Sequence, residues 1–207
     1  MRSASTLYLV RHGQTQFNVE GRLQGWCDSP LTRDGVAGVR ETAGRLADRP
    51  FAAAYVSTSP RAVATAELLL EHHPRISLRQ MPGLREFGFG EAEGTPELDL
   101  LPAIDPYDMW VGVVLGTFRG FPGGETGERY RARVLRAFAA VEAAHPEGDV
   151  LVVSHCLTLM TYLASIDPVR AAPPRNAGLA VVEVGAARRL VSVESHRTVP
   201  ESVPAAG

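Results

Sequence analysis

The sequence contains no lysine, only two cysteines and no long apolar run. All 21 basic residues are arginine, and with 23 acidic residues they give a formal net charge of -2. This balance excludes a globally basic surface for nucleic acid, so any anion site must be local. Cys27 and Cys156 cannot form a disulfide framework, and neither belongs to a CxxC pair that would indicate zinc or redox chemistry.

No apolar stretch approaches the ~20 residues that a membrane-spanning helix needs. The opening "MRSASTLYLV" leads into a strand rather than into a cleavable signal. We therefore expect a cytoplasmic protein that does not act at a membrane. The length of 207 residues and the apolar content of 45% predict one domain over residues 1–207 with a substantial core.

Strand-like and helical patterns alternate along the chain, which predicts an α/β fold with a largely parallel sheet. Strands are expected at 6–10, 52–57, near 75–81 and 149–155, with a hairpin of 178–184 and 189–196. Helices are expected at 33–47, from residue 60, at 125–145 and at 157–166. The apolar residues of 95–122 follow neither a helical nor a strand spacing, and we interpret this segment as a small inserted cap. Residues 198–207 are interpreted as a loose tail.

Four side chains that suit an anion fall at equivalent places in this pattern. Arg11 and His12 leave the first strand, Arg61 begins the helix after the second strand, and His155 leaves a later strand. Ligands bind outside the carboxyl ends of parallel strands, so one pocket is expected to hold all four. Two arginines and a cationic histidine repel one another unless a multivalent anion lies between them, which favours a phosphoryl group.

Five motifs then occur in order: "LVRHGQTQFN", "STSPRAVATAE", "LREFGFGEAEG", "GGET" and "VVSHC". This set resembles the histidine phosphatase superfamily, in the branch that includes the cofactor-dependent phosphoglycerate mutases. The resemblance spans residues 7–156 and implies a phosphoglycerate mutase-like fold, a three-layer α/β/α sandwich around a mostly parallel sheet. It also implies a reaction that passes through phosphohistidine.

The resemblance further implies a role for each matched residue. His12 would be the nucleophile and Glu86 the proton donor, while Arg11, Arg61 and His155 would bind the phosphoryl group and stabilise its transition state. The remaining substrate-binding positions that it implies are Asn18, Gln24, Gly25, Thr126 and Cys156.

The chemistry of these residue types agrees with those roles. His12 must attack as neutral imidazole, and nearby cations lower its pKa in that direction, while a backbone carbonyl can hold the other ring nitrogen as N–H. The arginines and a protonated His155 would neutralise the phosphoryl oxygens. A carboxylic acid at Glu86 that protonates the leaving oxygen contributes on the order of 10²–10⁴-fold, and it can then deprotonate the attacking water.

No cofactor is expected, and no metal: His72 and His73 are adjacent and do not share a helix face as i, i+4 ligands do. The predicted substrate is a small-molecule phosphomonoester. The identity of that ester is left open, and so is assembly as a homodimer.

Three alternatives to a phosphatase are considered. Mutases of the resembling family hold the substrate carboxylate with a cap lysine and paired arginines, whereas residues 95–122 contain only Arg119, so hydrolysis is favoured. A cysteine-dependent phosphatase needs an arginine six residues after its cysteine, and that position is Tyr162. A module that binds phosphorylated ligands without turnover is disfavoured because the histidines, arginines and Glu86 are all retained. Cys156 stands where the family commonly has glycine, so it is expected to reshape the pocket.

Overall fold

The computed structural model describes residues 4–100 and 104–195. Six strands form one sheet in the order β3-β2-β4-β1-β5-β6. Their bounds are β1 Ser5–Arg11, β2 Phe51–Val56, β3 Leu78–Gln80, β4 Gly148–Ser154, β5 Leu179–Val184 and β6 Arg188–Val193. β1 to β4 pair in parallel, and β5 pairs antiparallel with both β1 and β6. The predicted strands and the terminal hairpin are confirmed, with ends shifted by one to three residues.

Six α-helices connect or flank these strands among the described residues. They are α1 Gln16–Val19, α2 Arg33–Leu46, α3 Pro60–Leu69, α4 Pro106–Leu115, α5 Gly127–Ala144 and α6 Cys156–Ala164. Short 3-10 turns occur at Leu70–His72, Pro82–Leu84, Gly90–Ala92 and Glu97–Leu100. α3 begins at Pro60 as predicted, because proline has no N–H to leave unpaired in the first turn.

The sheet is covered on both faces, which gives the predicted α/β/α sandwich. Along β4, Val150 and Val152 join a core shared with α4, α5 and α6, whereas Leu151 and Val153 join a core shared with α2 and α3. All four valine and leucine side chains are fully buried. The period of two thus places successive side chains in opposite cores, and explains why this strand is apolar throughout.

The carboxyl ends of three neighbouring strands lie side by side. β4 lies between β1 and β2, with Arg11 opposite Ser154 in the parallel register. The His12 N–H donates to the Ser154 carbonyl (3.0 Å), and the Ser57 N–H donates to the Val153 carbonyl (3.0 Å). The residues that follow β1, β2 and β4 therefore meet at one edge of the sheet, as the sequence pattern predicts.

Residues 95–122 contain a regular helix that the sequence analysis did not identify. α4 begins after Asp105, whose carboxylate accepts from the N–H groups of Tyr107 (2.8 Å) and Asp108 (3.2 Å), and it ends at Gly116 with φ of 85°. Met109 and Val113 on α4 are buried in the core shared with α5 and α6. The segment thus packs on the core in its described part, while the predicted tail at 198–207 lies outside the described residues.

No helix in residues 4–100 and 104–195 is both long enough and apolar enough to span a membrane.

Candidate active site

His12 lies directly after β1 and is only 4% exposed. Its Nδ1 is 2.8 Å from the Gly13 carbonyl oxygen, so Nδ1 carries the proton and donates it, leaving the lone pair on Nε2. Burial lowers the pKa of His12 well below its usual value, and the charges of Arg61 and Arg11 lower it further. The ring is therefore neutral at pH 7 with an unprotonated Nε2, the state in which an imidazole can act as a nucleophile.

Arg61 places its charge beside this nitrogen but is held mainly by a loop. Its Nε–H points at His12 Nε2 (3.4 Å), while its Nη groups donate to the Asp28 carboxylate (2.9 Å) and to the carbonyls of Gln24, Gly25 and Cys27 at 2.9–3.1 Å. These bonds occupy both Nη groups. The Nε–H is the donor of Arg61 that remains on the His12 side, because the 24–28 loop holds the outer part of the guanidinium group.

Arg11 and His155 lie next to His12 and each has a buried nitrogen to spare. Arg11 donates from Nη1 to the Pro174 carbonyl (2.9 Å), and His155 Nε2 is 2.7 Å from the Ser57 hydroxyl. The His12 and His155 rings are 5.2 Å apart. Arg11 Nε and His155 Nδ1 are buried without a hydrogen-bond partner in the described part of the chain. Both N–H groups would be satisfied by an oxyanion beside His12.

The surroundings of His155 favour its neutral form rather than the expected positive charge. Burial lowers the pKa of His155 well below its usual value, and Arg61, His12 and Arg11 add to that effect. These residues therefore favour a neutral His155 at pH 7.

Glu86 is buried and is fixed from two elements of the core. Its Oε1 accepts from the Tyr130 hydroxyl (2.9 Å), from the N–H groups of Phe87 (3.1 Å) and Thr158 (3.2 Å), and from the Thr158 hydroxyl (3.1 Å). Its Oε2 accepts one bond among the described residues, from the Leu157 N–H (3.0 Å). The carboxyl group is thus rigidly held, and Oε2 is its less engaged oxygen.

Asn18 and Asn176 connect two distant loops at the end of β1. Asn18 Oδ1 accepts from the Thr15 N–H (3.2 Å) and from Asn176 Nδ2 (2.9 Å), which orients its Nδ2 group as the free donor of the amide. Asn176 Nδ2 also donates to the His12 carbonyl (3.2 Å). The Ala177 N–H donates to the same carbonyl (3.2 Å). Nothing in the local sequence pattern indicated Asn176, because its partners are more than 150 residues away.

The remaining predicted substrate-binding residues separate into two groups. Gln24 and Cys156 line the same cavity as His12, although the Gln24 side chain is engaged with Thr15 (2.7 Å) and Ser29 (3.0 Å). Gly25 donates its N–H to Glu93 (3.0 Å) and a Cβ there would lie 2.0 Å from the Phe87 oxygen, so its glycine is required for packing. Thr126 caps α5 by accepting from the Arg129 N–H (3.3 Å). Neither Gly25 nor Thr126 is among the residues that line this cavity.

Glu93 is a positioning residue that the sequence analysis did not identify. Its two oxygens accept four backbone N–H groups at 2.7–3.0 Å, from Gly25, Trp26, Cys27 and Phe89. Burial by itself would raise the pKa of Glu93, but hydrogen bonds from the Cys27 thiol and from these N–H groups outweigh it and lower that pKa. Glu93 thereby holds the loop whose carbonyls hold Arg61.

The cavity beside His12 has a volume of about 690 Å³ and is lined by polar and apolar residues together. Arg11, His12, Asn18 and Glu86 are among the polar ones. Most of the apolar side chains come from α4, from α6 and from the loop after α6, and they include Trp110, Val111, Val114, Leu157, Met160 and Pro168.

Within residues 4–100 and 104–195, no three His, Cys, Asp or Glu side chains gather as ligands of a metal ion.

The fold and this cavity define a class of protein: an α/β sandwich with two histidines and two arginines gathered at the carboxyl edge of its sheet. The chain matches the family model of the histidine phosphatase superfamily, branch 1, over residues 7–194, and it belongs to that superfamily.

The relatives include enzymes with different names. The chain is 32% identical over 160 residues to an uncharacterized phosphatase, PhoE, of Bacillus subtilis, with 76% of this chain and 75% of the relative covered. It is also 32% identical over 169 residues to a 2,3-bisphosphoglycerate-dependent phosphoglycerate mutase of Gloeobacter violaceus, with 78% and 75% covered. Among solved structures, a phosphoglycerate mutase from Bacillus anthracis superimposes with a TM-score of 0.79 at 29% identity, covering 94% of each chain. The predicted family and fold are therefore confirmed.

Proposed function

We propose that the protein is a metal-independent phosphatase that hydrolyses phosphomonoesters through a phosphohistidine on His12. The observation that carries the proposal is the 2.8 Å bond from His12 Nδ1 to the Gly13 carbonyl, which leaves Nε2 unprotonated inside the cavity. Arg61 beside Nε2 lowers the pKa of the ring and attracts the phosphoryl oxygens. A neutral nucleophile in a cationic pocket suits attack on a dianionic ester.

In the first half-reaction, the Nε2 lone pair of His12 forms the N–P bond while the P–O bond to the leaving group breaks. The leaving oxygen takes a proton from Glu86, which we assign to Oε2 because Oε1 already accepts four hydrogen bonds. The alcohol departs and Glu86 is left as a carboxylate. Protonation of a poor leaving group by a positioned acid is worth on the order of 10²–10⁴-fold.

In the second half-reaction, a water molecule replaces the alcohol. Glu86 takes one of its protons as the water oxygen forms a bond to phosphorus, and the N–P bond breaks with its electron pair returning to His12 Nε2. Inorganic phosphate leaves, and both residues regain their starting states. One carboxyl group thus serves as acid and then as base.

The phosphoryl oxygens would be bound by donors that surround His12. The spare N–H of Arg11 and the free Nδ2 of Asn18 supply two of them. His155 Nε2 contacts the Ser57 hydroxyl (2.7 Å), and the buried Nδ1 of His155 becomes a third donor when it carries a proton. Bound phosphate offsets the cations that lower the pKa of His155, so protonation of His155 accompanies binding.

Hydrolysis is favoured over mutase-type transfer by the cavity itself. A mutase must hold a carboxylate-bearing substrate and return the phosphoryl group to it, whereas the side chains that α4 and α6 contribute to the cavity are mainly apolar. The sequence also has no lysine to bind such a carboxylate. The Cys156 thiol is no competing nucleophile, because burial raises its pKa and Tyr162 stands where an assisting arginine would be needed.

The test is turnover of 4-nitrophenyl phosphate with and without EDTA. We expect release of phosphate that EDTA does not reduce, with loss of about 10³-fold or more in kcat for His12→Ala. Glu86→Gln should lose less, on the order of 10²-fold, because 4-nitrophenolate is a good leaving group that needs little protonation. His72→Ala is the matched control, since His72 is exposed and does not line the cavity. Absence of turnover would favour a binding module, dependence on added metal would contradict the mechanism, and transfer to 3-phosphoglycerate in place of water would favour a mutase.

A further inference from the structure

One acidic side chain besides Glu86 lines the cavity among the described residues. Glu97 begins the 3-10 turn Glu97–Leu100 and lines the cavity together with Trp110 and Cys156. Its Oε1 accepts from the Trp110 Nε1–H (2.8 Å). Trp110 thereby fixes the carboxylate without neutralising it, because the indole N–H carries no charge.

The charge of Glu97 is not compensated by an ion pair within residues 4–100 and 104–195. Arg22, a basic residue that lines the cavity, pairs instead with Glu20 (2.7 Å) and donates to the Gly94 carbonyl (2.8 Å). The charge of Glu97 acts on the Cys156 thiol: burial raises the pKa of that thiol, Arg11 lowers it, and Glu86 and Glu97 raise it further. The Glu97 carboxylate is therefore close enough to influence a charged group bound beside Cys156.

Aromatic and apolar side chains line the cavity together with Glu97. Trp110, which donates to Glu97, packs edge to face against Phe89 with ring centroids 5.8 Å apart, and Val114, Leu157 and Met160 line the same cavity. A low-dielectric wall strengthens the interaction of a carboxylate with any charge on a ligand. Aromatic faces add attraction for a cation and none for an anion.

We propose that Glu97 is a specificity-determining residue that restricts the substrate to phosphomonoesters of apolar alcohols or phenols whose leaving group is neutral or cationic. The Glu97 carboxylate repels a second anionic group on the substrate, such as a carboxylate or another phosphate, and so disfavours its binding. This inference rests on the proposed phosphatase activity and specifies the substrate class of the same site.

The experiment uses three aryl phosphates of similar shape, with a para methyl, carboxylate or aminomethyl group. For each enzyme, kcat/KM for the charged substrates is divided by kcat/KM for the methyl substrate at pH 7. Because the same ratios are compared between variants, the chemical reactivity of the three leaving groups cancels. The variants are Glu97→Gln and Asp99→Asn, the second of which removes an exposed acid from the same turn that does not line the cavity.

In the wild type we expect the carboxylate substrate to fall below the methyl substrate by about tenfold or more. Glu97→Gln should raise the carboxylate ratio about tenfold and lower the aminomethyl ratio, whereas Asp99→Asn should leave both ratios within twofold. If the wild type turns over the methyl substrate but Glu97→Gln leaves both kcat/KM ratios unchanged, this inference is wrong and the phosphatase proposal stands. No turnover of any of the three by the wild type contradicts the phosphatase proposal itself. A wild-type preference for the carboxylate substrate that Arg22→Gln abolishes would assign specificity to Arg22 and also overturn the inference.

Discussion

Replacement of Glu93 by glutamine tests whether the 24–28 loop depends on a single carboxylate. Each Glu93 oxygen accepts two N–H groups, Oε1 from Trp26 and Phe89 and Oε2 from Gly25 and Cys27. Glutamine keeps one acceptor oxygen and presents an NH₂ group to the other pair. In either amide orientation, two backbone N–H groups therefore face a donor.

The expected cost follows from those two unpaired groups. A buried donor that loses its acceptor costs about 1–3 kcal/mol of stability. For the two N–H groups together, and with some access of water to this loop, we expect Glu93→Gln to lower the free energy of unfolding by about 2–4 kcal/mol. The loop carbonyls that hold the Arg61 Nη groups would shift with it. Because a displacement of about 1 Å at a catalytic group can cost up to 10²-fold, we expect kcat to fall about tenfold.

Urea denaturation measures the stability change, and steady-state kinetics on 4-nitrophenyl phosphate measures the activity. Glu91→Gln is the matched control, because Glu91 lies in the same segment and is exposed. We expect Glu91→Gln to change stability by less than about 0.5 kcal/mol. A Glu93→Gln variant as stable and as active as Glu91→Gln would refute the role given to Glu93.

Three further predictions concern the same framework. The pKa of Glu93 is lower in the folded state than in the unfolded state. The ionised Glu93 therefore stabilises the fold above its unfolded pKa, and this stabilisation is lost as the pH falls through the folded pKa. Between pH 6 and 3, the urea midpoint should therefore fall less in Glu93→Gln than in the wild type. Asn176→Ala removes the donor to the His12 carbonyl and to Asn18, and we expect kcat/KM to fall about tenfold in steady-state assays with little change in the urea midpoint. Gly44 lies at an exposed position of α2 where a Cβ would meet nothing within 4 Å, so Gly44→Ala should raise the free energy of unfolding by about 0.5–1 kcal/mol. A loss of stability would contradict the helical, open environment of Gly44.

The parts of the fold that were predicted from sequence are those whose signals are local. β4 reads as a continuous apolar run because both of its faces are buried, and Pro60 marks the start of α3. Because the carboxyl ends of parallel strands share one edge of the sheet, the sequence also predicted that Arg11, His12 and His155 lie close together. The structure confirms that proximity, while the roles of these side chains stay predictions.

α4 was missed although its ends carry local signals. Its sequence "PYDMWVGVVL" is largely apolar, so no amphipathic period distinguishes a helix from loop. Asp105 followed by Pro106 at its start, and Gly116 at its end, are the capping residues that would have identified it. Capping signals are more informative than periodicity for a helix that is apolar on most sides.

The positioning residues could not have been read from the sequence. Glu93 acts through a loop about 66 residues earlier, and Asn176 acts through Asn18 and His12, more than 150 residues away. The hydrogen bonds of Arg61 could not be predicted for the same reason, since the carbonyls that occupy its Nη groups come from a distant loop. Such contacts depend on tertiary structure and leave no local pattern.

The most direct test of the central claim is rapid acid-free quenching of the enzyme after mixing with a ³²P-labelled aryl phosphate, followed by measurement of label on the protein. The account predicts transient label that is stable in base, labile in acid and absent from His12→Ala. Turnover that proceeds with no labelled protein at any time, or label that persists in His12→Ala, would contradict it.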